Sequence, residues 1–257
     1  MKISTSLGSA LIVSIFLFFL VSITFSHQQL NRTYNSLLSI ASHTQLAQLS
    51  GSGSGLVAHY TFDEGSGTTA GDSAGSNTGT LVNGPTWGSG KIGGGLEFDG
   101  VDDYITFASS PTPGSEMTVS TWVYKSADGI LVYRGSSACC LSYHLKITSG
   151  KARFAIVTTS GSNPDIEIIS NASIPDNTWT LVTATYSSSN SNLSLYINGT
   201  FDTSGSYTGT IYNSVVTMNI GAQNTPSSFL TGTLDDIRIY SRALSVSEIL
   251  QLYSAGR

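Results

Sequence analysis

The sequence is poor in charged side chains. Lys, Arg, Asp and Glu together make up 11% of the 257 residues, with 11 basic and 16 acidic side chains, whereas about a quarter is usual for soluble proteins. The few Lys and Arg residues form no basic stripe, so no nucleic acid is expected as a partner. Helical patterns between the strand-like segments are also missing, which argues against an α/β fold.

Cysteine is scarce as well, because Cys139 and Cys140 are the only two. Neighbouring Cα atoms across a trans peptide lie about 3.8 Å apart, below the roughly 4.4–6.8 Å that a disulfide usually needs. A bridge between these two residues would therefore require a strained turn. The spacing favours free or intermolecular thiols, and a vicinal disulfide in an oxidising compartment is the alternative.

One long apolar run stands at the N-terminus. Residues 3–25 are uncharged, and a helix over the 19 residues 7–25 would nearly span a hydrocarbon core of about 30 Å. Residues 1–26 are therefore predicted to be a membrane anchor or a cleaved signal peptide, and the length favours the anchor. A pilin-like leader is disfavoured because Val13 stands where a Glu is expected. Residues 27–55 are predicted to be a stalk that ends in a Gly/Ser linker.

The rest of the chain, residues 56–257, is predicted to be one all-β domain. Short segments rich in β-branched and aromatic residues alternate there with turn signals, which is typical of a sandwich or barrel. The dipeptides Asp128-Gly129, Ser149-Gly150 and Asn198-Gly199 predict hairpin turns.

Three motifs carry a resemblance to a known family. They are GTLDDIRIYSRALSVSEI at 232–249, GLEFDGVDDYITF at 95–107 and NTWTLVTATY at 177–186. Together they resemble the laminin-G-like branch of the concanavalin A-like lectin/glucanase superfamily, and the resemblance extends over nearly all of the β domain. It implies a concanavalin A-like jelly-roll sandwich of two antiparallel sheets. Ser245 and Glu248 have the spacing of a capping box, which predicts a short helix after the last strand.

The superfamily that the chain resembles contains glycosidases as well as sugar-binding modules. Its members that cut β-glucans place three acids as E-x-D-x-E on one strand, where the period of two puts them on one face. Here Asp165 and Glu167 are two such acids, but Ile169 stands in the third position. The sequence therefore predicts that the protein is not an enzyme, and a glycoside hydrolase is kept as the less favoured alternative.

The resemblance also implies a structural calcium ion, which takes several oxygen ligands at about 2.3–2.6 Å. The candidate ligands are Asp63, Asp72, Asp99 and Asp235. Asp235 is expected to share the inward face of Ile237 and Ile239, where a buried carboxylate needs backbone donors or a cation. A calcium ion near Asp72 and Asp235 is therefore the hypothesis. The alternative is that these acids cap turns by accepting hydrogen bonds from backbone N–H groups.

Export, a lectin-like sandwich and the missing acids together predict a non-catalytic extracellular module that binds carbohydrate or mediates adhesion. It would be secreted or displayed at the cell surface, with its N-terminal helix in the membrane and a glycan or a cell-surface protein as partner. Tyr rings stack on the apolar faces of sugars, so Tyr143, Tyr207 and Tyr212 are candidates for the ligand site. The alternative function is a structural component of the cell envelope or of a pilin-like filament.

Overall fold

A computed structural model describes residues 55–256, apart from 109, 113, 137–139, 159–165, 214–216 and 225–226. The predicted membrane segment and nearly all of the stalk and linker lie outside the described residues, as does Cys139. The membrane anchor and the state of the two cysteines therefore stay predictions. Within the described part, no helix has the length and apolar character needed to cross a membrane.

The described part contains sixteen strands and one helix. The strands are β1 Leu56–Tyr60, β2 Thr69–Ala70, β3 Gly79–Val82, β4 Thr86–Ser89, β5 Gly94–Asp99, β6 Tyr104–Phe107, β7 Glu116–Ala127, β8 Gly129–Ser136, β9 Cys140–Thr148, β10 Lys151–Ile156, β11 Ile166–Ser173, β12 Thr180–Ser187, β13 Asn192–Ile197, β14 Thr200–Ser206, β15 Thr217–Ile220 and β16 Thr231–Tyr240. The helix is α1, Val246–Ala255. The sequence pattern does not predict β2, β3, β4 and β14, because these strands are short or polar.

The strands form two sheets. Sheet 1 has the order β14-β13-β12-β7-β16-β5-β4, with β1 also paired to β16. Sheet 2 has the order β11-β10-β9-β8-β15-β6-β3-β2. All of these pairings are antiparallel. The all-β sandwich of two antiparallel sheets is therefore confirmed, and it is consistent with a jelly roll.

The inner faces of the two sheets enclose the hydrophobic core. In β12, Val182, Ala184 and Tyr186 belong to this core. Because side chains alternate along a strand, Thr183 and Thr185 between them lie on the outer face of sheet 1. The largest fully buried side chains come from both sheets and include Tyr60, Phe98, Phe107, Tyr143 and Phe154.

The helix α1 packs against the outer face of sheet 1. Its predicted capping box is confirmed, since the Ser245 hydroxyl accepts a hydrogen bond from the Glu248 N–H and the Glu248 carboxylate accepts one from the Ser245 N–H. Leu252 is buried, and the Tyr253 ring stacks on Trp122 of β7 with 5.6 Å between ring centroids. Trp122 therefore lies beneath the helix rather than at a ligand site.

Two of the three predicted hairpins are confirmed. Ser149 and Gly150 have φ values of 54° and 68° between β9 and β10, and Asn198-Gly199 has 52° and 77° between β13 and β14. Two successive positive φ values are those of the type I′ turn. The hairpin predicted at Asp128-Gly129 is wrong, because β7 belongs to sheet 1 and β8 to sheet 2. That dipeptide forms the corner where the chain crosses between the sheets.

The predicted inward orientation of Asp235 is also wrong. Asp235 is paired with Trp122, and the register between β16 and β7 shifts between Asp235 and Arg238. At this bulge Asp236 has a φ of 49°. A bulge adds one residue to a strand and so changes which face the next side chains occupy. Asp235 therefore lies on the outer face with Trp122, whereas Ile237 belongs to the core.

Candidate ligand-binding site

Side chains from five neighbouring strands meet on the outer face of sheet 2. The register places Asn219 beside Tyr133, Tyr133 beside His144, His144 beside Ala155, and Ala155 beside Glu167. Residues paired in this way lie on the same face with Cβ atoms roughly 4.5–5.5 Å apart. Their neighbours along β9 and β10 belong to the core. The row therefore crosses β15, β8, β9, β10 and β11 on the side that faces away from the core.

Glu167 is the centre of a polar network on this face. Its Oε1 lies 3.2 Å from His144 Nε2 and 3.1 Å from Lys146 Nζ, and its Oε2 accepts a hydrogen bond of 2.9 Å from Arg153 Nη1. Lys146 and Arg153 are paired across β9 and β10, which is why both reach the same carboxylate. Two permanent cations around one carboxylate leave one positive charge in excess.

The environment fixes the charge of these groups. The contact with His144, followed by the hydrogen bonds from Lys146 and Arg153, holds the pKa of Glu167 at about 2 although burial opposes this. Burial lowers the pKa of His144, so the neutral imidazole is favoured near pH 7. Glu167 is therefore ionised, whereas a general acid needs a pKa near the working pH.

Tyr133 and His144 are aromatic neighbours beside this network. Their rings are nearly parallel, at 9°, with 6.4 Å between centroids. Tyr133 is partly exposed, and His144 is buried beside it. A partly exposed ring next to charged donors and acceptors suits a ligand that has both an apolar face and several polar groups.

Two buried polar atoms near the row have unused hydrogen-bonding capacity. Asn219 Nδ2 donates to the Gln223 carbonyl at 3.0 Å. Within the described residues, Asn219 Oδ1 and Arg153 Nε have no hydrogen-bond partner. Buried polar atoms are nearly always paired with protein, water or ligand. One acceptor and one donor beneath this face are therefore left without a partner among the described residues.

The predicted tyrosines do not lie in this row. Tyr143 is fully buried in the core, so its prediction as a ligand contact is wrong; it precedes His144 on β9 and thus points to the opposite face. Tyr207 and Tyr212 lie just beyond the end of β10. The Tyr207 hydroxyl is 3.2 Å from Thr158 Oγ1, and the Tyr212 N–H donates to the Val157 carbonyl at 2.7 Å. Ligand contact by these two tyrosines stays a prediction.

Asp72 caps a turn after β1. Its Oδ1 accepts hydrogen bonds from the N–H groups of His59, Ala74 and Gly75 at 2.9, 3.1 and 2.9 Å. Its Oδ2 accepts two from Asn77, both at 3.1 Å. Backbone N–H groups that face a carboxylate occupy the lone pairs a cation would use. This geometry is that of the turn-capping alternative.

Asp235 is fully buried, and only one of its two carboxylate oxygens accepts hydrogen bonds from the described residues. Its Oδ2 accepts hydrogen bonds from the N–H groups of Lys91 and Ile92 at 2.8 and 2.7 Å, while Oδ1 has no partner among the described residues. Burial raises the pKa of Asp235 to about 7, with a further contribution from the neighbouring charge of Asp236. A proton therefore neutralises this carboxyl readily.

The two remaining metal candidates lie elsewhere. Asp63 is exposed and accepts a hydrogen bond of 2.6 Å from the Gly94 N–H. Asp99 lies with Asp102 and Asp103 in the turn between β5 and β6, where carboxylate oxygens of all three lie within 4.8 Å of one another. No other set of three acidic, His or Cys ligand groups comes so close in the part of the chain that is described. Asp72 and Asp235 are not part of such a set, and calcium stays a prediction for chelation to test.

Sequence reasoning singled out Glu167 but missed Tyr133, Lys146 and Asn219. The available signal is the polar residue at every second position of β9, namely His144 and Lys146. This alternation indicates an outer face but not the strands beside it. The site depends on sheet order, in which β15 lies next to β8.

Comparison with known proteins agrees with this architecture. Residues 99–250 match the laminin G family model described as "Concanavalin A-like lectin/glucanases superfamily". A search of curated proteins finds no match.

Several solved structures share the fold. Domain 4 of AbnA, an extracellular GH43 arabinanase from Geobacillus stearothermophilus solved with arabinotriose, is 22% identical with a TM-score of 0.62, and the match covers 77% of this chain and 98% of that one. The binding domain of Paraclostridial Mosquitocidal Protein 1 is 18% identical with a TM-score of 0.59, and the match covers 77% of this chain and 52% of that one. The botulinum neurotoxin serotype G binding domain is 16% identical with a TM-score of 0.61, and the match covers 77% of this chain and 50% of that one. The chain thus spans about half the length of these toxin domains.

Proposed function

We infer that this chain, which belongs to the laminin G branch of the concanavalin A-like lectin/glucanase superfamily, is a non-catalytic carbohydrate-binding module. Its fold is lectin-like, and similar structures include a domain solved with arabinotriose and the binding domains of toxins. The proposed binding site is the outer face of sheet 2. Arabinotriose is therefore the first ligand to test.

The observation that carries this proposal is the partly exposed Tyr133 ring, which lies beside His144, Glu167 and the cations around Glu167. The apolar face of a sugar packs on such a ring. The Lys146 ammonium and the Arg153 guanidinium donate to hydroxyl oxygens, and Glu167 accepts from hydroxyl hydrogens. The apolar face of a sugar and its hydroxyl groups thus both have suitable partners close together on this face.

The low pKa of Glu167 argues against a role for it as the general acid of a glycosidase. Glycosidases pair a protonated acid with a second carboxylate about 5–9.5 Å away. Glu167 is held ionised by His144, Lys146 and Arg153. Asp165, the second acid of the sequence pattern, lies outside the described residues. We expect no release of reducing ends from arabinan or other polysaccharides.

Calorimetric titration of the full chain tests the proposal. The wild type should bind arabinotriose or another glycan from an array of neutral and uronate-bearing oligosaccharides. Tyr133→Ala removes the stacking surface and should weaken binding at least about tenfold. Tyr124→Ala is the matched control, because Tyr124 is a partly buried tyrosine on the outer face of sheet 1 that packs on Trp179.

Three results would contradict the proposal. Equal losses in Tyr133→Ala and Tyr124→Ala would show that stability rather than the site was affected. An array without a single glycan, together with recovery of one defined protein in a pull-down, would favour adhesion to a protein partner. Hydrolysis of a polysaccharide that is abolished by Glu167→Gln would favour a glycoside hydrolase.

We also propose that the β domain is displayed outside the cell by the apolar segment at residues 1–26. The support is the length of that uncharged run. Protease added to intact cells should remove the β domain. Protection from protease until the cells are opened would overturn this part of the proposal.

A further inference from the structure

Two depressions adjoin the proposed site. The first, called the end cleft, has a volume of about 450 Å³ and lies between Lys125, Asp128 and Asp176 at the corner between the sheets. The second, called the side depression, has a volume of about 400 Å³ and is bordered by Asp128, Lys146 and Gln223. Ligand pockets are usually roughly 300–1,000 Å³. Each depression is therefore large enough to hold part of a ligand.

The end cleft, the side depression and the outer face of sheet 2 share lining residues and so adjoin one another. Asp128 borders both depressions. Lys146 lines the side depression and also contacts Glu167 at 3.1 Å. Gln223 lines the side depression and also accepts the hydrogen bond from Asn219. These three adjoining regions are together called the groove below.

The walls of the end cleft are held in place by ion pairs and hydrogen bonds. The Lys125 side chain is 3% exposed, and its ammonium group contacts Asp176 and lies 3.2 Å from Asp128. Asp128 Oδ2 accepts a hydrogen bond of 2.9 Å from the Gly150 N–H, and the Gly150 carbonyl accepts one of 2.8 Å from Ile174. These contacts join three connections between strands. A cleft that is already formed costs little ordering entropy on binding.

The charges along the groove change sign. The end cleft has one ammonium against two carboxylates, which leaves one negative charge in excess. Around Glu167, two cations face one carboxylate, which leaves one positive charge in excess there. A polyanion would be attracted at one end and repelled at the other, whereas a neutral chain of hydroxyl groups meets donors and acceptors along the whole groove.

We propose that the groove binds a linear, uncharged oligosaccharide that runs from the end cleft, through the side depression, onto the outer face of sheet 2. This inference rests on the proposed carbohydrate-binding function. It goes further by assigning a second binding region, around Asp128 and Asp176, and by defining the length and charge of the ligand. Sugar hydroxyls donate to the two carboxylates there, which Lys125 holds in position.

The test is calorimetric titration of the full chain with linear arabino-, xylo-, gluco- and manno-oligosaccharides of one to six units. The affinity for the preferred series should rise about tenfold or more with length and then stop rising when the groove is filled. Asp176→Ala should reduce the affinity for the longest oligosaccharide about tenfold and leave that for the shortest unchanged. Asp102→Ala, a change at an exposed acid outside the groove, is the control.

A second variant protects the test against loss of folding. Ser173 is exposed at the end cleft, and Ser173→Trp fills the cleft without removing an ion pair. Ser173→Trp should abolish the rise in affinity with oligosaccharide length, as Asp176→Ala is expected to do.

Two results would overturn this inference while leaving the proposed function intact. One is an affinity that does not depend on length, and the other is tighter binding of uronate-bearing oligosaccharides than of neutral ones. Absence of binding at every length would overturn the proposed function as well.

Discussion

Replacing Asp235 by Asn is expected to stabilise the protein at neutral and alkaline pH. Asp235 Oδ2 accepts hydrogen bonds from Lys91 and Ile92, and Oδ1 has no partner among the described residues. An Asn side chain keeps an oxygen for the two N–H groups and places its NH₂ group where Oδ1 stands. The variant therefore removes a buried charge and keeps both hydrogen bonds.

The size and sign of the effect follow from the pKa of Asp235. Burial raises it from 3.8 to about 7, and one pKa unit corresponds to 1.36 kcal/mol, so ionisation costs the folded state at most about 4 kcal/mol. Between pH 3.8 and about 7 the folded state holds a proton that the unfolded state has lost. Wild-type stability therefore falls as the pH rises through this window and stays low above it, whereas Asp235→Asn lacks this dependence.

Thermal unfolding at pH 5, 6, 7 and 8 measures this difference. At a few degrees per kcal/mol for a chain of this size, the melting temperature of Asp235→Asn should exceed that of the wild type by roughly 5–10 °C at pH 8 and by much less at pH 5. Asp63→Asn is the matched control, because Asp63 also accepts a backbone hydrogen bond but is exposed. It should show no comparable rise.

Two outcomes would refute the reasoning about Asp235. A difference between variant and wild type that is constant from pH 5 to pH 8 would mean that the carboxyl does not titrate in this window. A variant less stable at every pH, together with a wild-type midpoint that calcium raises and EDTA lowers, would place a cation at Asp235 instead of a proton.

Three further predictions concern Glu167, Ser245 and Asp72. Glu167→Gln should lower the free energy of unfolding by about 1–2 kcal/mol at pH 7. The low pKa of Glu167 contributes stability that is present above about pH 4.5 and is lost as the pH falls toward 2. Urea unfolding should therefore show a smaller difference between variant and wild type at pH 3. Ser245→Ala should cost about 1 kcal/mol in urea unfolding through loss of the helix cap, and Ser254→Ala on the exposed side of α1 should cost less. EDTA should leave the melting temperature of the wild type unchanged, because N–H groups already occupy the Asp72 oxygens; a fall of several degrees would establish a calcium ion.

The sandwich could be predicted because its signals are local. Alternating side chains, Gly-containing turns and the pair Ser245 and Glu248 each act within a few residues. Membership of a sheet is not local. Asp128-Gly129 has the composition of a hairpin turn, yet the strands on its two sides pair with other partners and lie in different sheets.

The candidate site could be predicted only in part for the same reason. His144 and Glu167 are visible as polar positions, but Tyr133 and Asn219 join them only because β15, β8 and β9 are neighbours in sheet 2. Shifting the alternation along a strand by one residue also exchanges the side chains assigned to the core with those assigned to the outer face. Tyr143 is buried in the core, while the next residue, His144, faces the site.

The bulge in β16 does have a signal in the sequence. Ile237 and Ile239 fix one face, and strict alternation would then place Asp235 on it and Leu234 on the other. That arrangement keeps a Leu out of the core and places an acid among apolar core side chains, the reverse of what burial favours. One extra residue at Asp236 exchanges the two faces, so that Leu234 enters the core, while Asp235 stays buried but on the other face, where it meets two backbone N–H groups. A break in the phase of alternation, with an acid on the apolar side of the break, therefore indicates a β-bulge from the amino-acid pattern alone.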